Sequence, residues 1–466
     1  MTMTWATLHS RRTVIKGAIG VAGAATAAPL LVFGQPAAPR IRQDVVEFAK
    51  DATKLANFEG ALQEMMDRSR TNPGDPRGWL ANAKAHADFC ATPGGGGDPR
   101  QIHFCWWFLS WHRAYISVTE RKIREISGDQ SFTYPYWNWS SDRRIPQAFA
   151  RAGSPLAAAI RFTPPRPLDD GEVDFNPDDP VLSRLGVTAL AATFFEAKTP
   201  GQIRRSFGGI ARPNASNSFN VSRLEGTPHG PVHVYVGGDS DEGAGDMSDF
   251  ETAARDPIFF AHHGNLDRLW EIWRKDPARK NTEPTSDAFK NHKFTFTWLD
   301  GTPVQVSVAD TLNTQNLGYT YDNLEVLRPG APAVVIAQAG DNRLAPVARD
   351  TIQVPLTPQG AGDERRILEI TDVERPDRVM TVGVFVKPAN APADQQGINV
   401  GTFAAVKSGG EIAWPSQTLS FDITEAANRF AGQQLTVELI PYRIRAQGAE
   451  NYPPLRYGQM RIVTEQ

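Results

Sequence analysis

The chain has 466 residues, 41% of them apolar and 22% charged, an ordinary globular composition with length for two domains and at least one sizeable core. A formal net charge of −3 leaves neither the basic surface that nucleic acid requires nor an acidic tail, and two cysteines, Cys90 and Cys105, exclude a disulfide scaffold. Eleven Trp and 24 Phe favour an aromatic-rich core or pocket.

In chain order, residues 1–38 read as a targeting segment. Ser10-Arg11-Arg12-Thr13-Val14-Ile15-Lys16 resembles the twin-arginine export motif, and the run from Gly17 to Gly34 is apolar, Gly/Ala-rich and free of acidic residues. Weak hydrophobicity favours a cleaved signal over an anchor. The expectations are a periplasmic or secreted protein, transient contact with the twin-arginine translocase, cleavage around Pro36-Ala37-Ala38-Pro39, and no stable membrane insertion afterwards.

Residues 39–290 read as a mainly α domain broken by Pro/Gly-rich loops. His112, Tyr115, Ile116, Thr119, Ile123 and Ile126 recur at helical spacing before a stop at Gly128. Asp256-Pro257 opens a second helix through His263, Leu266, Asp267, Trp270 and Trp273, and Thr227-Pro228 reads as another helix start. Residues 291–335 read as a linker, with Phe294, Phe296 and Trp298 alternating and a Pro/Gly/Ala-rich stretch from Arg328 to Pro332. From 336 to 466 the period is two: Val382-Val384-Val386, Leu419-Phe421-Ile423 and Leu435-Val437-Leu439 predict half-buried strands of a small antiparallel β-sandwich.

The histidines carry the chemistry. Setting aside His9 and His292, the remaining seven, His86, His103, His112, His229, His233, His262 and His263, lie between positions 86 and 263. A buried imidazole costs desolvation unless hydrogen-bonded or metal-bound, so seven in aromatic-rich segments point to metal rather than packing. His229 and His233 stand four apart, which lets both rings face one ion. His86, His103 and His112 with His229, His233 and one of His262 or His263 give three imidazoles for each of two metals; spacing does not choose within the last pair. All-imidazole sets suit copper, zinc, iron or nickel, and without Glu-x-x-His motifs or a bridging carboxylate the donor set favours two copper ions handling O2.

Several stretches then become recognisable: His86-Ala87-Asp88-Phe89-Cys90, Phe108-Leu109-Ser110-Trp111-His112-Arg113, Pro135-Tyr136-Trp137-Asn138-Trp139, Pro228-His229-Gly230-Pro231-Val232-His233 and Asp256-Pro257-Ile258-Phe259-Phe260-Ala261-His262-His263. Together they resemble the tyrosinase, catechol oxidase and hemocyanin family, in its plant-type polyphenol oxidase branch, over residues 50 to 275. The resemblance implies copper-dependent oxidation of o-diphenols to o-quinones by O2, with ortho-hydroxylation of monophenols as an added activity. It assigns His86, His103 and His112 to the first copper and His229, His233 and His263 to the second. It also implies a thioether from Cys90 to His103, against the alternatives of a small buried hydrophobe or a Cys90–Cys105 disulfide.

Further implications concern the surroundings. Phe250 matches a bulky gate over the first copper, and Glu225 matches an acidic residue that helps deprotonate an incoming phenol. Gly230 lacks the side chain that strong hydroxylases place there. Asp267, one turn beyond His263, is expected either to accept from a ligand imidazole or to form a surface ion pair. The β-rich tail is expected to act as a lid removed on activation, and a copper chaperone is an expected partner beside the phenolic substrate. Rival readings are an o-aminophenol oxidase, a non-catalytic oxygen carrier of the hemocyanin kind, and a zinc hydrolase.

Overall fold

The computed structural model describes residues 28–31, 33, 38–90, 102–157, 159, 161, 188–211, 221–238, 245–277, 279, 281–325, 346–354, 365–374, 380–393, 395, 397–405, 417–441 and 454–465. The arginine pair of the export motif, the glycine-rich stretch after Cys90 and the Arg328–Pro332 linker lie outside the described residues, as does the Cys90 side chain. Among the described residues no helix is long and apolar enough to cross a membrane.

The N-terminal domain is helical. α1 (Ala52–Thr71) starts where the Asp51 side chain accepts from the Thr53 and Lys54 amides, and buries Phe58, Ala61, Leu62 and Met65. α2 (Trp79–Cys90) carries His86, and α3 (Phe108–Ser127) carries His112. α3 ends where the periodicity predicts, at Gly128, whose φ of 75° is the left-handed cap that glycine adopts without a Cβ penalty. α4 (Gly230–Gly237) is buried throughout, and Thr227 ahead of it is extended at φ −151°, the conformation of a residue at a helix start. α5 (Ile258–Lys275) opens as expected, with Asp256 Oδ1 accepting from the Ile258 amide at 3.0 Å.

α3 and α5 cross the middle of the domain and are covered nearly all round, so their charged residues need internal partners. Strand β1 (Arg40–Arg42) supplies one. The Arg42 guanidinium donates to Glu120 at 2.7 and 3.1 Å and to Asp267 at 3.0 Å, and lies 3.5 Å over the Tyr319 ring. Arg113 donates to the other Asp267 oxygen and reaches Glu271 at 2.7 Å, while the Tyr319 hydroxyl donates to Asp267 at 2.6 Å. Of the two sequence expectations for Asp267, the bond to a ligand imidazole is overturned and the ion pair with arginine is found, but buried and not at the surface, because two enclosed guanidiniums demand a counter-charge. Burial alone would raise that carboxyl, but Arg113 and Arg42 outweigh burial and hold it below the usual range.

The segment after the helices is folded against this core. β2 (Lys293–Thr297) and β3 (Pro303–Ser307) form an antiparallel hairpin, burying Phe294 and Phe296 on one face as the alternation predicts. β4 (Tyr319–Tyr321) pairs in parallel with β1, which brings Tyr319 and Tyr321 to Arg42.

The C-terminal domain is the expected antiparallel sandwich around a second core. Its strands are β5 (Ala348–Gln353), β6 (Arg365–Val373), β7 (Met380–Pro388), β8 (Ile398–Ala405), β9 (Gln417–Asp422), β10 (Gln434–Pro441) and β11 (Met460–Glu465). One sheet runs β8-β7-β10-β5 and the other β9-β6-β11. β7 departs from the half-buried pattern: Val382, Val384 and Val386 face the sandwich core, yet Thr381 and Phe385 are also buried. The cause lies on the outer face of this sheet, which packs against α4 and the turn before it.

Asp267→Asn removes the shared counter-charge of two buried arginines and should cost about 3–5 kcal/mol in urea unfolding at neutral pH. Because the folded carboxyl is held low, its stabilisation is complete above the unfolded range near about 3.9 and is lost as pH falls through the lower folded value. The difference between the two proteins should therefore shrink in acid; a pH-independent difference would count against the charge network.

Candidate metal centre

Seven histidines from different parts of the chain meet in one place, each between 0% and 4% exposed. His86 comes from α2, His103 from the loop before α3, and His112 from the first turns of α3. His229 precedes α4, His233 lies in its first turn, and His262 and His263 lie in the first turns of α5. Potential ligand atoms of His86, His103 and His112 lie within 4.8 Å of one another, as do those of His229, His233, His262 and His263. The two groups face each other: the His112 and His263 rings stack at 4.0 Å and 7°, and His103 and His229 at 5.8 Å and 30°.

The hydrogen bonds set which ring nitrogen is free. His86 Nδ1 faces the Phe250 carbonyl at 2.9 Å, His112 Nδ1 that of Phe108 at 2.7 Å, His229 Nδ1 that of Glu225 at 3.1 Å, and His233 Nδ1 that of Met247 at 2.8 Å. A carbonyl only accepts, so in each neutral ring Nδ1 carries the proton and the Nε2 lone pair points inward. Nε2 of His86, His112 and His229 is buried with no protein hydrogen-bond partner, the signature of atoms built for a metal. His233 Nε2 and His263 Nε2 approach to 3.3 Å, a contact that a shared cation satisfies.

His262 is held the opposite way. The Trp139 indole N–H donates to His262 Nδ1 at 3.1 Å, so the proton of a neutral ring sits on Nε2. Its Nε2 is buried without a hydrogen-bond partner, as is Nε2 of His86, His112 and His229. The indole N–H thus occupies one nitrogen of His262, whereas His263 Nε2 faces His233 Nε2 at 3.3 Å, which favours His263 of the two that spacing left open.

Electrostatics agree with metal-ready neutral rings. Burial first, with the neighbouring His233 second, pushes His86 down to about 3, and burial pushes His233 down to about 4. His103, His112, His229, His262 and His263 are lowered by burial and then by neighbouring imidazoles, His86 and His233 included. An aromatic lining keeps the site dry: Phe259 packs at 4.2 Å on His263 and 4.8 Å on His86, and Phe108 at 4.7 Å on His112 and 4.8 Å on His229.

Phe250 contributes twice. Its ring lies 4.9 Å from His103, and its carbonyl orients His86. Glu225 is 4% exposed, and its Oε1 accepts the Phe104 amide at 2.8 Å where Phe104 adopts a φ of 64°. A non-glycine residue there stores strain. This bond steadies that turn and ties the loop bearing His103 to the segment bearing His229. Gly230 lies beneath the second domain: a Cβ built on it would meet Ala404 Cβ of β8 at 3.1 Å, and the Thr227 hydroxyl donates to the Thr402 carbonyl at 2.7 Å. Cys105 is buried, its thiol facing the Ile102 carbonyl at 3.6 Å. The carbonyls of Phe108 and Met247 and the Trp139 indole were invisible in the sequence, since no spacing marks an acceptor on the backbone.

Residues 76–276 match the family model described as the common central domain of tyrosinase. That region is similar to tyrosinase central domains. Residues 284–330 match the polyphenol oxidase middle domain. A chloroplastic polyphenol oxidase of Malus domestica is 32% identical over 306 residues, which cover 64% of this chain and 51% of that protein. A tyrosinase of a Hahella strain is 29% identical over 400 residues, covering 74% of this chain and 81% of that one. The chain spans about half the length of most of the curated relatives it matches. Among solved structures, that of latent apple tyrosinase superposes with a TM-score of 0.67 at 23% identity, over 94% of this chain and all of that one. That of a tyrosinase from Burkholderia thailandensis gives 0.53 at 19%, over 87% and 94%. These two likenesses support the fold alone: a helical core followed by a β-sandwich.

The tautomer argument predicts that His262→Phe still takes up two metal ions per chain whereas His263→Ala takes up one. Equilibrium dialysis followed by metal analysis measures both, and loss of an equivalent in His262→Phe would make that ring a ligand after all.

Proposed function

We propose that this chain is a two-copper oxidase that converts o-diphenols into o-quinones with O2. The observation that carries the reading is the face-to-face pair of histidine trios with lone pairs directed into one dry space. His86, His103 and His112 hold the first copper; His229, His233 and His263 hold the second. The copper pair supplies the electron transfer between phenol and O2, with two diphenols giving two quinones while one O2 becomes two waters.

The protein's own groups do the rest. Backbone carbonyls of Phe250, Phe108, Glu225 and Met247 fix ring tautomers, and the phenylalanine lining excludes water that would compete with substrate. The Phe250 ring narrows the approach to the first copper. Glu225 positions the His103 and His229 segments and stands where a phenolic proton would be passed. With Gly230 in place of a side chain, oxidation of diphenols exceeds hydroxylation of monophenols. Cys90 closes a thioether to His103, the thiol and ring C–H hydrogens leaving as two protons and two electrons taken up by O2, which lets that loop ring hold one orientation. The C-terminal sandwich covers the second copper segment through Thr402 and Ala404 of β8, so the intact chain is latent. The twin-arginine segment directs export of the folded, copper-loaded protein, with a chaperone delivering the metal.

The test is oxygen uptake and quinone absorbance on catechol and on a tyrosine-like monophenol, using copper-loaded, zinc-loaded and metal-free protein. Copper-loaded protein alone should turn over, catechol faster than the monophenol, and cutting the chain between residues 322 and 335 should raise the catechol rate. Its intact mass after full reduction should be two hydrogens below that of the sequence. Turnover with zinc, or none with copper before or after the cut, contradicts the reading; equal rates in cut and intact chains contradict the lid.

A further inference from the structure

The end of the apolar leader is built into the folded enzyme. Residues Pro29 to Phe33 belong to the run expected to be discarded, yet Leu30 forms a parallel bridge with Gln305 of β3. The Leu31 amide donates to the Gln305 carbonyl at 2.7 Å, and the Gln305 amide donates to the Pro29 carbonyl at 2.9 Å. The segment thus lies as a third strand along the edge of the β2–β3 hairpin, satisfying backbone groups that an open edge leaves to solvent or to another chain. Leu31 packs against the main core, and Phe33, 8% exposed, is part of it, whereas Leu30 points outward at 50% exposed.

Cleavage at Pro36-Ala37-Ala38-Pro39 would remove Phe33 from the core and strip β3 of its partner. Upstream of the docked strand, Ala25-Thr26-Ala27 offers the small-x-small pattern that signal peptidases read, followed by Ala28. We propose that Pro29–Leu31 is a permanent edge strand of the mature protein, with Phe33 kept in the core, and that the leader is removed after Ala27, not at Pro36–Pro39. The cut position rests on the export reading above; the docked strand does not.

Two measurements test the two halves separately. The full chain is expressed in a bacterium with a working twin-arginine route, and the N-terminus of the exported protein is read by mass spectrometry. A mature chain starting at Ala28 is expected, and one starting anywhere from 34 to 40 overturns the proposal. Recovery of only unprocessed protein inside the cell overturns the cut together with export. The docked strand is tested in the full copper-loaded chain by Phe33→Ala beside Leu30→Ala. Phe33→Ala should lower Tm by several degrees, roughly 5 °C, while the outward Leu30→Ala leaves it within about a degree. Equal melting of the two variants removes the strand from the account, whatever the first measurement shows.

Discussion

The desolvation of seven imidazoles is the constraint around which the N-terminal domain is arranged. Each ring is almost wholly enclosed, and burial drives all of them toward the neutral form. A neutral ring offers one proton and one lone pair, and the structure gives the protons of four rings to backbone carbonyls. The inward lone pairs are then costly unless something cationic meets them. The single ring turned the other way, His262, is the one whose acceptor nitrogen is taken by an indole N–H. Metal affinity and ring orientation are therefore one property of this site.

A second buried charge set supports the first from behind. His112 and Arg113 are neighbours on α3, and His263 and Asp267 sit a turn apart on α5. The bond between Arg113 and Asp267 thus fixes the two helices that bring the trios face to face. Arg42 and the Tyr319–Tyr321 strand extend this clamp to the beginning and end of the catalytic region, closing it as a unit. The sandwich leans on the opposite side, with β8 over Gly230 and Thr227 next to His229 of the second trio.

Much of this was legible in the sequence because the relevant signals are periodic or compositional. The α3 stripe with its Gly128 stop, the Asp256-Pro257 start of α5 and the alternation in β2 all report one-dimensional rules that tertiary contacts did not override. The histidine cluster was visible for a chemical reason, since so many imidazoles among aromatics have few other uses. What escaped depends on three-dimensional partners. Position left Asp267 open between a histidine and a surface arginine, and only the fold shows two buried guanidiniums from distant segments on it. Choosing between His262 and His263 required knowing where the Trp139 indole lies. β7 read as half-buried because its alternation records the sandwich core and not the helix packed on its outer face. Leu30 and Leu31 lie in the run read as leader, and hydrophobicity alone does not reveal their pairing with Gln305.

The central claim is that two trios of rings hold two ions in one shared space. Anomalous diffraction from copper-loaded crystals tests it most directly. The account predicts two peaks per chain about 3.5–4 Å apart, one meeting Nε2 of His86 and His112 together with His103, the other meeting His229, His233 and His263, with His262 touching neither. A single peak, two peaks too distant to share an oxygen molecule, or a peak bonded to His262 would contradict it.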